Sequence, residues 1–420
     1  MKDRINNKNS NKNKEVFNLK IYRTDIAYAG VVSFIFITCI ELFYRMIVKY
    51  NRGYPSDMRY YAGEAATKTE MDPRLLDMIS RALHSINGST LEFNLFLAAL
   101  IPAIIIMNYF VIRFLTANNA IKEQPPRYAL QAASILALFT GPVFIPVLHE
   151  YYYIHSVAAF AWHNPTQHAM TLFSLAGTLA FLKMIDIYRK EQTVSVRYWI
   201  ATMILMLLSA ASKPSFVIEL VPSVMILFGI FLFDTGKGNV GQRFIQLFKM
   251  GASIIPAGLY IIWLSTVDFG NTNGMEGSID VVFGLSKSFT QENLFNIFIF
   301  GMPFSILVLA ANYKRLKESK YFLSIMVFVM GVAQWVFLEE SGYRARHGNF
   351  DWGRMYGTYF LALVSLSLLI ENIYRPDSIF PNNKRARRIY LIIAIVILAL
   401  SVLSQLNYFG YVLSGRKYMR

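Results

Sequence analysis

Apolar runs of about 17–25 residues, the length that carries a helix across the hydrocarbon core of a bilayer, recur eleven times along this chain. They fall at 26–48, 92–114, 128–148, 167–187, 198–212, 214–233, 248–267, 293–312, 321–338, 355–372 and 389–409. No single water-soluble core could bury so much apolar surface, and 55% hydrophobic residues with a mean hydropathy of +0.38 over 420 residues agree. The expected fold is an all-α polytopic membrane protein of about 11 transmembrane helices. A basic, disordered cytoplasmic tail (1–24) precedes one transmembrane domain (25–420). The fifth run is short and meets Ser212-Lys213-Pro214-Ser215 at once, so runs five and six read as a tight hairpin whose tip dips below the surface.

Charge orients the bundle. Most of the 41 Lys and Arg residues fall in the tail and in the alternate connections that share its side. By the positive-inside rule the N-terminus is cytoplasmic and the C-terminus outside, in a cell membrane. The formal charge of +15 is then topogenic charge beside anionic lipid, and a nucleic-acid partner is not expected. Met1–Lys20 is rich in Asn and Lys and has no apolar h-region, which argues against a signal peptide. The single cysteine, Cys39, excludes an intramolecular disulfide and a thiolate cluster. With neither HExxH nor Asp-x-Asp, no metal site and no cofactor are indicated.

Polar information collects on the outer face. Directly after the first run comes Tyr54-Pro-Ser-Asp57-Met-Arg59-Tyr60-Tyr61. A carboxylate at the mouth of a bundle, flanked by an arginine and tyrosines, suits chemistry on a substrate whose tail lies in lipid and whose head is at the interface. Asp57 is therefore the leading catalytic candidate, with Arg59 and Tyr60 as substrate contacts. Beyond it, Asp72-Pro73 opens a helical pattern of Leu75, Leu76, Ile79, Ala82, Leu83 and Ile86 that stops at Asn87-Gly88, with Arg74, Asp77, Arg81 and His84 on the other face. This predicts an interfacial amphipathic helix, either a solvated connector or a lid.

Three further segments carry binding candidates. His149-Glu150-Tyr-Tyr-Tyr-Ile-His155 leads to Trp162-His163-Asn164-Pro165-Thr166-Gln167-His168 at the start of the fourth span. Free backbone N–H groups there favour an anion or a sugar hydroxyl, which nominates Glu150, His163, Asn164 and Gln167; Thr166 as a plain helix cap is the alternative. Lys213 at the hairpin tip would cost about 2.5–3.5 kcal/mol within an apolar span, so it either snorkels or meets an anion such as a phosphate. The loop from Glu339 to Arg354 holds Arg344, Arg346 and Arg354 on the face that should be poor in cations, fit for phosphate or for pairing with Glu339, Glu340 and Asp351. Gly236-Lys-Gly-Asn-Val-Gly241 matches GxGxxG but follows a membrane helix with no βαβ unit, and reads as a turn.

The Ser-Asp-Met-Arg-Tyr-Tyr cluster after the first helix, the Asn-Pro-Thr-Gln entry to a later helix and the Lys-Pro-Ser helix-pair tip together resemble the GT-C superfamily of integral-membrane glycosyltransferases. That resemblance implies a polyprenyl-phosphate-linked sugar donor and a glycan or lipid-linked acceptor. It implies that Asp57, in the first outer loop, acts as base or orienting group, and that Lys213 with Arg344 or Arg346 binds the donor phosphate. The chain lacks the soluble C-terminal domain of the oligosaccharyltransferases, so a divalent metal is not carried over. Polysaccharide polymerase and lipid or polysaccharide transporter are the competing expectations; a transporter would place charge along the middle of several spans, where only Glu41, Arg45 and Glu219 lie.

Overall fold

A computed structural model describes residues 2–49 (side chains from Arg23), 56–64, 73–116, 125–148, 160–234, 239–270, 279–281, 285–286, 296–340 and 350–415. Its helices in chain order are α1 (Lys2–Val48, apolar part Arg23–Val48), α2 (Leu75–Asn87), α3 (Leu91–Thr116), α4 (Arg127–Leu136), α5 (Pro165–Glu191), α6 (Val196–Ser212) and α7 (Ser215–Leu232). They continue as α8 (Val240–Ala252), α9 (Ile255–Gly270), α10 (Pro303–Ala311), α11 (Ser319–Phe337), α12 (Asp351–Tyr374) and α13 (Lys384–Ser414). The chain is an all-α multi-pass membrane protein, with one short antiparallel pair among the described residues. That pair joins β1 (Ile279–Val281) to β2 (Leu338–Glu340) with Asp280 opposite Glu339, and the apolar periodicity gave no sign of it.

Among the described residues, seven helices are long and apolar enough to cross a membrane: α1, α3, α5, α7, α11, α12 and α13. The pair α8 and α9, bent by 49° at Ser253–Ile254, makes an eighth if it is one span. The expected count of eleven is therefore not reached by full-length helices. The reason is local, because the remaining three runs are apolar but short or broken. α6 has 17 residues, about 26 Å at 1.5 Å per residue against a core of about 30 Å. α10 has nine residues behind Gly301-Met302-Pro303. α4 has ten, ends in a 3-10 turn at Phe139, and gives way to extended chain at Gly141-Pro142.

Extended backbone inside a bundle needs partners that lipid cannot supply. Here α13 supplies most of them. Ser401 Oγ donates to the Gly141 carbonyl (2.7 Å), Gln405 Nε2 donates to that of Pro142 (3.2 Å), and Ser404 Oγ accepts from the Phe144 N–H (3.0 Å). The Val143 N–H reaches the Phe300 carbonyl at 2.8 Å. These contacts explain why Ser401, Ser404 and Gln405 interrupt an otherwise apolar span.

α12 is the hub of the bundle. The apolar window of α12 is 94% buried, against 22% for α1 and α13, so the other helices wrap around it. Its Tyr359 hydroxyl donates to Asn108 Oδ1 on α3 (2.9 Å), and Asn108 Nδ2 donates to the Ser134 carbonyl on α4 (3.1 Å), so one buried amide ties three helices. At the far end of α12, Glu371 is almost fully enclosed and pairs with Arg315 and with Arg375 (3.5 Å). The last carbonyls of α3 are claimed there too: Leu115 accepts from the Tyr321 hydroxyl (3.1 Å) and Thr116 from Arg375 Nη2 (3.3 Å). Cations at the C-terminal end of α3 also suit the helix dipole.

The predicted interfacial helix is present as α2, with Gly88 in the left-handed conformation at its end (φ 72°). Its faces differ from the expected division. Asp77 and Ser80 are buried with Leu76, whereas Met78 and Ile86 are exposed. Ser80 Oγ donates to the Tyr61 carbonyl and Tyr260 on α9 donates to the Pro73 carbonyl (3.0 Å), so α2 leans on the turn that follows Asp57.

Candidate active site

Two segments separated by about a hundred residues of chain fold into one structure here. Ser56 Oγ donates to the His163 carbonyl (3.0 Å) and accepts from the Met58 N–H (3.0 Å), while the Asp57 N–H donates to the same His163 carbonyl (3.3 Å). The Tyr61 N–H closes onto the Asp57 carbonyl (3.4 Å) and starts a π-turn over Tyr60–Glu64. Asn164 then joins side chain to side chain. As N-cap of α5 its Oδ1 accepts from the Gln167 N–H (3.1 Å) and the Thr166 hydroxyl (2.6 Å). With Oδ1 claimed twice, the amide orientation is fixed, and Nδ2 donates to Asp57 Oδ2 at 3.1 Å. A buried aromatic shelf lies behind: Phe160 stacks on His168 (4.9 Å, 6°), and His168 Nε2 meets the Ala161 carbonyl at 3.1 Å.

The opposing wall comes from the hairpin tip and the first turn of α12. Lys213 is the extended C-cap of α6, directly followed by Pro214 and α7. Its Nζ lies 3.8 Å from the centroid of the Trp352 ring, a cation–π contact of about 0.5–2 kcal/mol according to its hydration. Trp352 also borders His163, with ring centroids 6.1 Å apart. The turn bearing Trp352 is set by Arg354, whose Nε and Nη2 both reach Asp351 Oδ1 at 2.7 Å and whose guanidinium covers Trp335 at 4.5 Å. Arg354 therefore pairs with Asp351 as the structural alternative held, and is committed to positioning.

Asp57 and Lys213 face each other electrostatically without closing an ion pair. Asp57 is open along one edge, yet protein encloses its other sides, and that desolvation lifts its carboxyl above the usual range; Lys213 opposes the shift. Burial brings the Lys213 ammonium down to about 7, with Asp57 pulling the other way. His163 is pushed to about 3 by burial and then by Lys213, so it stands as a neutral imidazole. The Tyr61 phenol is raised, first by burial and next by Asp77.

Of the residues nominated by sequence, Asp57 and Lys213 come near enough to act on each other electrostatically. Arg59 is exposed on the turn after Asp57 and Tyr60 is half-buried edge-on to Tyr61 (5.1 Å). His163, Asn164 and Gln167 are buried and form the footing of Asp57, with no surface open to a ligand. Glu150, Arg344 and Arg346 lie outside the described residues. Among the described residues no group of three or more His, Cys, Asp or Glu gathers as a metal set. Sequence reasoning missed the contact of Trp352 with Lys213 and the role of Glu219. Glu219 on α7 is fully buried, neither carboxyl oxygen has a hydrogen-bond partner, and it packs against Gly353 between Trp352 and Arg354. The signal available was a lone carboxylate within an apolar run.

A methyl at Gly353 would overlap the Glu219 carboxyl. Gly353→Ala is thus expected to destabilise by about 1–3 kcal/mol, the scale of core overpacking, and adding Glu219→Ala should recover part of the loss. Unfolding midpoints of the two variants in detergent check this; no recovery in the double variant would place the strain elsewhere. Neither a protein-family model nor a curated protein matches the chain.

Proposed function

We propose that this protein is a membrane glycosyltransferase that moves a sugar from a polyprenyl-phosphate carrier to a hydroxyl of a glycan or lipid-linked acceptor. The supporting observation is a carboxylate held by Asn164 facing an unpaired lysine held by Trp352, at the mouth of an apolar bundle. The acceptor hydroxyl gives its proton to Asp57 while its oxygen bonds to the anomeric carbon. The bond from that carbon to the phosphate oxygen breaks, and Lys213 stabilises the departing phosphate. A carboxyl raised toward the working pH is a better base than an ordinary one. The Trp352 ring that carries Lys213 also offers a flat face to a sugar. The site is read as outer-facing, with a cytoplasmic N-terminus, an outside C-terminus and the shorter apolar helices completing eleven passes in a cell membrane. The cluster of Arg189, Lys190, Arg315, Lys320 and Arg375 at the other end of the bundle supports this orientation.

Lys213 sets a pH test. Ligand-free enzyme loses the Lys213 proton as pH rises through about 7, so kcat/KM should fall on the alkaline side there. On the acid side it should fall as Asp57 protonates, above the usual carboxylate range. Lys213→Arg keeps the charge at every working pH and should remove the alkaline limb. Lys213→Gln should weaken donor binding by about 1.5–3 kcal/mol. An alkaline limb unchanged in Lys213→Arg would detach Lys213 from the donor.

A transporter is the second reading, favoured by one observation: Glu219 is an unpartnered carboxylate within a span, a position that commonly marks an ion pathway. The two separate on Asp57→Asn and Glu219→Gln. Transferase chemistry loses turnover with the first, whereas transport loses flux with the second.

A further inference from the structure

The end of α5 remote from Asn164 opens on a polar cavity. α5 has 27 residues, so its ends are about 40 Å apart and a ligand at one cannot touch the other. The cavity, about 60 Å³, is lined by Tyr188, Arg189 and Gln192 from the end of α5, Phe231 from α7, Asp234 beyond it, and Arg243 from α8. At roughly 10–15 Å³ for each enclosed water, it has room for a compact group of a few heavy atoms, such as one phosphate.

Arg243 is the feature that calls for a ligand. It is 7% exposed, and its Nε and Nη1 have no hydrogen-bond partner. Asp234 lines the same cavity. A guanidinium stays charged when buried, and enclosing it without an anion is strongly unfavourable. Its position adds to the mismatch. Arg243 lies in the first turn of α8, just past the Asn239 N-cap that accepts from the Gln242 N–H (2.8 Å), at the helix end where the dipole disfavours a cation. Across the cavity Arg189 is held by its Nη1 bond to Ser319 Oγ (2.9 Å) and its seat over Phe231 (5.9 Å). Gln192, left-handed at φ 56°, closes that side through its Nε2 bond to the Tyr188 carbonyl (3.0 Å).

We propose that this cavity binds a phosphate group between the guanidinium forks of Arg243 and Arg189. A phosphate offers several acceptor oxygens, enough to meet the Nε and Nη1 of Arg243 that have no partner. The shared chemistry is phosphate, from a lipid headgroup at the interface or from solution, and it does not depend on the reaction assigned to Asp57.

The test uses the purified full chain in neutral-detergent micelles with three probes: phosphatidylglycerol, diacylglycerol with the same acyl chains, and inorganic phosphate. Retention is read by native mass spectrometry for wild type, Arg243→Gln and Arg243→Lys. A lipid source predicts that wild type retains phosphatidylglycerol about tenfold or more over Arg243→Gln, with diacylglycerol retained equally by both. A soluble source predicts the same contrast for inorganic phosphate, with phosphatidylglycerol retained no better than diacylglycerol. Equal retention of both phosphate probes by wild type and Arg243→Gln would overturn the site. Should Arg243→Gln fail to fold, Arg243→Lys is read the same way: it keeps the charge but loses the planar fork, so retention should still drop, and unchanged retention would overturn the proposal.

Discussion

Asp57→Asn is expected to lower sugar transfer by about 10²–10⁴-fold, or about 3–5 kcal/mol of barrier, in a protein that folds and inserts as wild type. The substitution keeps the shape of the side chain and its contact with Asn164 Nδ2, but it cannot take a proton from the acceptor. Loss of the Asp57 charge also removes the pull that keeps Lys213 protonated, so donor binding is compared below pH 7, where the ammonium is retained, and should change little there. The control is Asp186→Asn, an exposed carboxylate near the other end of α5 paired with Lys190 at 2.7 Å, where a loss of no more than about 1 kcal/mol of stability and no change in turnover are expected. Transfer by Asp57→Asn at the wild-type rate would remove Asp57 as base.

Glu371→Ala should have the largest effect on stability, about 3–5 kcal/mol, the scale for removing one partner of a buried ion pair. Glu371 is 1% exposed at its side chain and meets Arg315, 19% exposed, and Arg375, 10% exposed. Deleting the carboxylate leaves two enclosed guanidinium groups at the junction of α3, α11 and α12 without their shared anion. The comparison is Glu41→Ala on α1, where the pair with Arg45 is open to the surroundings (51% and 32% exposed) and about 0–1 kcal/mol is expected. Denaturant midpoints in detergent measure both, and similar small losses would show that the Glu371 junction does not hold the bundle together.

What the sequence made legible was what depends on short-range pattern. Apolar run length located every long span, Asn87-Gly88 stopped α2 where expected, and Ser212-Lys213-Pro214-Ser215 marked a two-residue link between helices. Run length could not show where an apolar segment breaks, because Gly141-Pro142 and Gly301-Met302-Pro303 are compatible with a kinked span as well as with extended chain. The pairing of Asp57 with Asn164 and of Lys213 with Trp352 joins residues more than a hundred positions apart, and a single sequence carries no trace of such contacts. Periodicity also misassigned Asp77: a carboxylate on the polar stripe of an amphipathic helix reads as solvated, yet α2 turns that stripe toward Tyr61.

The most direct test of the proposed reaction is the lipid that stays with the protein. Full-length wild type and Lys213→Gln are extracted in parallel from membranes supplied with polyprenyl-phosphate sugar, and bound lipid is identified by native mass spectrometry. The expected result is a polyprenyl phosphate, bare or carrying its sugar, on wild type and about tenfold or more depleted on Lys213→Gln. Absence of any polyprenyl phosphate from wild type, or equal amounts on the two proteins, would contradict a donor site at Lys213 and Asp57.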